Sequence, residues 1–157
     1  MRKTHETYLS EAIQIALRNQ EQGGGPFGAI IVRNGEIIAS SGNKVTKEND
    51  PTAHAEINAI RQACKHLGHF ELSDCTLYSS CEPCPMCLGA IYWARMGAVY
   101  FAAGKADAKE AGFDDSFIYE ELKISINQRK IPTYQMLREQ ALKPFENWKN
   151  REDKIEY

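Results

Sequence analysis

Two short segments of this chain combine side chains that bind metal ions with one that can move protons. His54-Ala55-Glu56 supplies an imidazole and a carboxylate, and residues 81–87 read Cys-Glu-Pro-Cys-Pro-Met-Cys. One imidazole and two thiolates suit a tetrahedral zinc ion whose fourth position stays open for water. Glu56 lies two residues beyond the imidazole, where it could act on that water as a general base instead of binding the metal.

Spacing alone leaves other interpretations open. A His-x-Glu sequence is common on surface helices, and the Cys-x-x-Cys spacing occurs twice, at Cys81/Cys84 and Cys84/Cys87, so either pair could be a redox dithiol. All three cysteines with His54 could also close a structural zinc site without catalysis. The combination is more specific than its parts. A His-x-Glu, a strand, and a Pro-Cys-x-x-Cys at a helix start are typical of zinc-dependent nucleobase deaminases.

The composition is that of an ordinary globular chain. Its 157 residues are 43% hydrophobic and 25% charged, which predicts a single domain with a sizeable core. With 19 Lys and Arg against 21 Asp and Glu, the formal net charge is −2, and no basic run is present. Because tight binding to DNA or RNA usually needs a basic surface, no nucleic-acid partner is expected.

The cysteines and the first residues favour the cytoplasm. Five cysteines are an odd number, and three of them crowd into residues 81–87, so a disulfide framework is not expected. The segment Met-Arg-Lys-Thr-His-Glu leads into a polar amphipathic stretch, which is not a secretory signal. No apolar run approaches the roughly 20 residues that a membrane span needs, so no membrane partner is expected.

The apolar pattern predicts alternating helices and strands within one domain, residues 1–157. Strands are expected over residues 27–32, 36–39, 76–79, 98–102 and 131–137, with a turn at 34–35 between the first two. Helices are expected before residue 23, from about 52 to 67, from 83 to about 97, and around 144–148. This order predicts an α/β fold, a three-layer α/β/α sandwich with a central mixed five-stranded sheet.

Two of these helices begin at the candidate metal ligands. His54 is predicted to lie in the first turn of one helix, and Cys84 and Cys87 lie at the start of the next. The unpaired N–H groups and dipole at a helix N-terminus favour the thiolate form of cysteine. We therefore expect two helix N-termini to converge on the metal.

The chain resembles the cytidine deaminase superfamily and, within it, the small bacterial guanine deaminases. The resemblance covers nearly the whole chain, and its most specific segments are residues 25–29, 49–56, 80–95, 111–116 and 156–157. The zinc motifs are common to the superfamily. The Ala-Gly-Phe-Asp-Asp-Ser segment at 111–116 and the terminal Tyr157 point to guanine instead of cytosine or adenosine.

The resemblance also implies roles for individual residues in a cytidine deaminase-like fold. One Zn2+ per subunit would be bound by His54, Cys84 and Cys87, which leaves Cys81 as the spare cysteine. Glu56 would be the proton shuttle, and Asp115 would help to remove the amino group of the base. The purine base would contact Asn43, the backbone at Ala55, Phe27, Trp93, Asp115 and Tyr157.

The activity that the resemblance implies is hydrolysis of guanine to xanthine and ammonia. A tRNA-adenosine deaminase or a cytosine or cytidine deaminase would use the same zinc chemistry, and a non-catalytic zinc-binding or redox protein would explain the cysteines but not Glu56. The resemblance further implies a homodimer, and in some enzymes of this kind the C-terminal segment crosses to the partner. Here that segment, about residues 137–157, carries the apolar side chains of Leu142, Phe145 and Trp148.

Overall fold

Four strands form one mixed sheet in the computed structural model, which describes residues 4–157. They are β1 (Gly28–Arg33), β2 (Glu36–Gly42), β3 (Cys75–Cys81) and β4 (Ala98–Ala103). The spatial order is β2-β1-β3-β4, in which β1 is antiparallel to both β2 and β3, and β3 is parallel to β4. Between β1 and β2, Asn34 and Gly35 both have positive φ angles, which confirms the predicted turn.

The described residues also form seven α-helices. They are α1 (His5–Glu21), α2 (Val45–Glu48), α3 (Ala55–Leu67), α4 (Pro85–Trp93), α5 (Lys105–Glu110), α6 (Ser116–Lys123) and α7 (Arg138–Lys149). The predictions for α1, α3, α4 and a C-terminal helix are confirmed. The sequence did not predict α2, α5 and α6, because four to eight residues are too few for a clear helical period. None of the helices within residues 4–157 is long and apolar enough to cross a membrane.

Helices cover both faces of the sheet, because neighbouring side chains of a strand point to opposite faces. The first buried cluster includes Ala29, Ile31, Leu77 and, from α3, Ala55, Ala59 and Ala63. The second includes Tyr8 of α1 with Ile30, Val32 and Tyr78. This confirms the three-layer α/β/α sandwich.

The predicted fifth strand over residues 131–137 is wrong. This segment has no regular secondary structure and is exposed, and α7 begins at Arg138 directly after it. A strand exists only where its N–H and C=O groups meet those of a neighbouring strand, and Pro132 has no N–H to offer. The apolar residues of the segment indicated burial, but burial does not by itself provide a strand partner.

The chain divides into two compact units. The first ends at Asp115 and contains the whole sheet with α1 to α5. The second covers Ser116–Tyr157 and contains α6, a 3-10 turn at Ile126–Gln128, and α7. Within the second unit, Arg129 Nε donates a hydrogen bond to the Glu121 carbonyl at 3.2 Å, which ties the segment after α6 back to that helix.

We expect Gly28→Ala to destabilise the protein, because β1 begins against the backbone of α1. A Cβ at Gly28 would lie 2.3 Å from the Ala12 carbonyl oxygen and 2.7 Å from Ala16 N. Overpacking of this kind costs about 1–3 kcal/mol of unfolding free energy, measured by denaturant unfolding. Gly104→Ala is the control, because its Cβ would have Asp107 Oδ2 at 3.6 Å as its nearest neighbour. Equal losses in the two variants would contradict the expectation.

Candidate metal centre and active site

Two helix N-termini carry the three candidate ligands. His54 is the N-cap residue of α3, and Cys84 is the N-cap residue of α4, both in extended backbone conformations. Cys87 lies three residues further along the chain and is buried in the first turn of α4. The prediction that His54 lies within the first helical turn is therefore wrong by one position. Histidine is not a typical capping residue, and its ring makes no capping hydrogen bond with the helix.

The geometry of the three ligand atoms fits zinc. His54 Nδ1 lies 3.5 Å from Cys84 Sγ and 3.5 Å from Cys87 Sγ, and the three atoms are within 4.8 Å of one another. Zn–S distances of about 2.3 Å and Zn–N distances of about 2.0 Å at a tetrahedral angle place the sulfur and nitrogen about 3.5 Å apart. A site with three protein ligands keeps its fourth position open, as catalytic zinc sites do.

Electrostatics in the protein favour a bound cation at this site. A hydrogen bond from Cys87, and further contacts with His54, lower the pKa of the Cys84 thiol to about 4. The same contact with Cys84, together with burial, raises the pKa of Cys87. The two shifts have opposite directions because two thiolates this close together repel each other. A divalent ion removes this conflict, because it stabilises both thiolates at once.

Glu56 is buried beside the ligands but is not part of the ligand cluster. Ser79 Oγ donates a hydrogen bond to Glu56 Oε1 at 3.1 Å, and Cys87 Sγ donates to Oε2 at 3.4 Å. Burial raises the pKa of Glu56 above its ordinary value, and the bonds from Ser79 and Cys87 oppose that rise only in part. A carboxyl group with a raised pKa, held next to a metal site, is suited to accepting and returning a proton.

Cys81 lies outside the ligand cluster. Its Sγ lies 3.8 Å from the Gly104 carbonyl oxygen, and it is buried at the end of β3. Burial raises the pKa of the Cys81 thiol to about 11, which keeps it protonated at neutral pH. The structure therefore separates Cys81 from Cys84, although the two were candidates for a dithiol pair.

Asp115 is half-buried at the end of the first unit. Burial and, to a smaller extent, the negative charge of Cys84 raise the pKa of its carboxyl group. Lys105, at the start of α5, acts in the opposite direction. The charge of Cys84 therefore acts on the Asp115 carboxyl group, and the catalytic role of Asp115 stays a prediction.

The predicted base contacts lie in different surroundings. The ring of Phe27 packs edge-to-face against Phe113, with ring centroids 4.9 Å apart. Asn43 is half-buried where β2 ends, and Ala55 is fully buried at the start of α3. Trp93 is the last residue of α4 and is 66% exposed. The aromatic ring that packs against Phe27 is that of Phe113. Tyr157 belongs to the second unit and is 69% exposed.

Sequence reasoning missed two residues of this region, Ser79 and Phe113. Ser79 is 2% exposed although it is polar, and its bond to Glu56 joins residues 23 positions apart. A serine inside an apolar strand was the available signal, since a buried hydroxyl group needs a partner. Phe113 lay within a segment that marked the resemblance, but nothing in its spacing indicated contact with Phe27.

A family model agrees with this site. The model of the cytidine and deoxycytidylate deaminase zinc-binding region matches residues 2–103, which include all three candidate ligands and Glu56. The chain belongs to this deaminase family. The zinc-binding region and the geometry of His54, Cys84 and Cys87 identify Zn2+ as the cofactor of the deaminase.

Curated relatives and solved structures carry the likeness further. The deaminase is 58% identical to guanine deaminase of Bacillus subtilis over 98% of this chain and 99% of the relative. An X-ray structure of guanine deaminase from that organism has a TM-score of 0.96 at 57% identity and covers 99% of both chains. The tRNA-specific adenosine deaminase of Bacillus subtilis is 47% identical over 62% of this chain and 61% of its own length. A crystal structure of NE0047 with 2,6-diaminopurine, at 33% identity and a TM-score of 0.69, covers 71% of this chain and 63% of that one.

We expect Cys84→Ser and Cys87→Ser to lose zinc, because a site with three protein ligands has no ligand to spare. Cys81→Ser is the matched control, since its sulfur lies against Gly104 and not against His54. Zinc per chain, measured by elemental analysis after dialysis, should fall towards zero in the first two variants and stay near one in the control. Retention of zinc in Cys84→Ser together with its loss in Cys81→Ser would reverse the assignment.

Proposed function

We propose that this deaminase hydrolyses free guanine to xanthine and ammonia. The observation that carries the proposal is the extent of the likeness to guanine deaminase, which spans 98% of this chain. The family model ends at residue 103, and the tRNA-specific adenosine deaminase matches only 98 residues. The likeness to guanine deaminase therefore includes the second unit, Ser116–Tyr157, as well as the zinc-binding region.

The chain's own residues would bind the metal and move the protons. His54, Cys84 and Cys87 would hold the zinc ion, which when bound lowers the pKa of a water molecule towards neutrality. Glu56 accepts a proton from the attacking water and passes it to a ring nitrogen, which makes C2 more electrophilic. A C–O bond forms at C2, and Glu56 then takes the second proton from the new hydroxyl group. With Asp115 it delivers this proton to the amino nitrogen as the C–N bond breaks and the C2 carbonyl forms. Burial of Glu56 favours its role as proton carrier, because it raises the pKa of the carboxyl group above its ordinary value.

Aromatic and polar groups of the chain would bind the base. Phe27, packed on Phe113, offers a ring face or edge for a flat base, and Asn43 offers an amide that can pair with a base edge. The backbone at Ala55 lies between the metal ligand His54 and Glu56. We further assign Trp93, Asp115 and Tyr157 to the base pocket.

Two alternative functions fit fewer observations. A tRNA-adenosine deaminase needs a surface for a polyanion, and this chain has 19 Lys and Arg against 21 Asp and Glu. A non-catalytic zinc-binding protein has no use for Glu56, whose burial is costly and which accepts a hydrogen bond from Ser79. Five free cysteines, two of them needed as reduced ligands, favour action in the cytoplasm.

The test of the proposed function is ammonia release from guanine, guanosine, cytosine, cytidine, adenine and a tRNA stem-loop by zinc-loaded protein. Guanine should have the highest kcat/KM. Glu56→Gln should keep its zinc and lose about 10²–10⁴-fold or more in kcat, since a positioned acid-base residue contributes that much. A higher kcat/KM for cytidine or the stem-loop would overturn the choice of guanine. Near-normal turnover by zinc-replete Glu56→Gln would remove Glu56 from the mechanism.

We further propose that the enzyme is a homodimer with a shared C-terminal segment. The exposed side of α4 presents Leu88, Tyr92 and Trp93, and a helix that is apolar on all sides needs cover on all sides. In the second unit, Ile131, Tyr134, Met136, Leu137 and Phe145 are also largely exposed. A second copy of the chain would cover the exposed apolar side chains of α4 and those of the second unit. Exchange of residues 137–157 would make each active site depend on the partner subunit.

Mixed dimers test the exchange of the segment. One parent is Glu56→Gln, and the other is a chain lacking Tyr157; each alone should have low guanine turnover. If the segment crosses over, the mixed dimer contains one complete site, and random mixing should restore about a quarter of wild-type activity. If mixed dimers form and guanine turnover is not restored, the segment stays on its own subunit. Deletion of Tyr157 alone should leave zinc content and dimerisation intact.

A further inference from the structure

The loop that carries Asn43 is held by amide side chains from two helices. Asn19 Nδ2, on α1, donates to the Asn43 carbonyl oxygen at 2.9 Å and to the Gly25 carbonyl oxygen at 2.7 Å. Asn58 Nδ2, on α3, donates to the carbonyl oxygens of Gly42 and Ala53, both at 3.2 Å. The carbonyl group of Asn43 is thus bound by a side chain of α1, and that of Gly42 by a side chain of α3.

The backbone N–H groups of the same loop are also used. Asn43 N donates to the Phe27 carbonyl oxygen at 3.2 Å, and Lys44 N donates to the Ala53 carbonyl oxygen at 2.9 Å. Hydrogen bonds therefore connect the loop to the segment that ends in Phe27, before β1, and to the segment that ends in His54, before α3. A shift of Asn43 would have to break several of these bonds at once.

The Asn43 side chain itself has a defined orientation. Val45 N donates to Asn43 Oδ1 at 3.1 Å, and because a backbone N–H can only donate, the acceptor must be the oxygen of the amide. The Nδ2 group is then the end that remains to meet a ligand. It can donate to a carbonyl oxygen or an unprotonated ring nitrogen, which are the acceptors on the edge of a purine.

The space around Asn19 fits this side chain closely. A Cβ at Gly42 would lie 2.3 Å from Asn19 Oδ1, and a Cβ at Gly24 would lie 2.6 Å from Asn19 Nδ2. The amide of Asn19 therefore fills a gap between two backbone segments that contain glycine at the points of contact. Both of its N–H groups have acceptors, so the side chain joins the loop before Phe27 to the loop of Asn43.

We propose that Asn19 is a positioning residue for base binding, which acts by holding the Asn43 loop against the loop of Gly25. The inference rests on the proposed function, in which Asn43 binds the edge of the base. Asn19 touches neither metal ligands nor Glu56 in its hydrogen bonds, so its loss should affect substrate binding more than the chemical step.

The test uses the full-length, zinc-loaded enzyme with guanine. Asn19→Ala should raise KM about tenfold, the effect of losing one well-placed hydrogen bond, with kcat within about twofold and zinc unchanged. Gln14→Ala, on the exposed side of α1, is the control and should behave as wild type. An unchanged KM in Asn19→Ala would overturn the role of Asn19. Absence of guanine turnover in the wild type would instead overturn the proposed function.

A double-mutant cycle separates positioning from a general structural effect. If Asn19 acts through Asn43, Asn19→Ala should change KM little once Asn43→Ala is already present. The same tenfold increase in both backgrounds would overturn the proposal. Should Asn19→Ala fail to fold, Asn19→Asp keeps the shape and removes both donors; it should raise KM at least as much, and a wild-type KM would overturn the proposal equally.

Discussion

Two thiols, an imidazole and a carboxyl group share one largely buried site, in which several negative charges are costly without a cation. The contact between Cys84 and Cys87 lowers the pKa of the first thiol and raises that of the second, and the charge of Glu56 also raises the pKa of Cys87. Burial makes such repulsion costly, because the low dielectric of the interior screens it poorly. A zinc ion converts the repulsion into coordination, so binding of the metal and stability of this part of the fold are linked.

The rest of the first unit can be understood as the support that this cluster requires. The backbone after β3 leads directly into α4, so that Cys84 precedes the helix and Cys87 follows in its first turn. The start of α3 brings His54 to the same place and puts Glu56 in the first turn of the helix, within reach of Ser79 on β3. Helices and strands hold side chains more exactly than loops do, and the metal chemistry needs that exactness.

Local patterns were sufficient for the features that depend on neighbours in sequence. The apolar run of β1, the turn at Asn34-Gly35 and the ligand spacing around Cys84 all rest on residues within a few positions of each other. The features that sequence could not supply depend on distant partners. Ser79 meets Glu56 across 23 positions, Asn19 meets Asn43 across 24, and residues 131–137 lack the strand partner that their apolar pattern presupposed.

The residues for the zinc chemistry and the residues for substrate choice likewise lie in different parts of the chain. The zinc-binding region ends at residue 103, and its ligands lie at the starts of α3 and α4. The groups assigned to guanine lie mostly elsewhere: Phe27 and Asn43 on loops, and Asp115 and Tyr157 beyond that region. Loops can change without disturbing a buried metal cluster, provided that something fixes each new loop in place. Side-chain amides such as those of Asn19 and Asn58 meet that need, because they satisfy loop carbonyl groups without altering the sheet or the ligands.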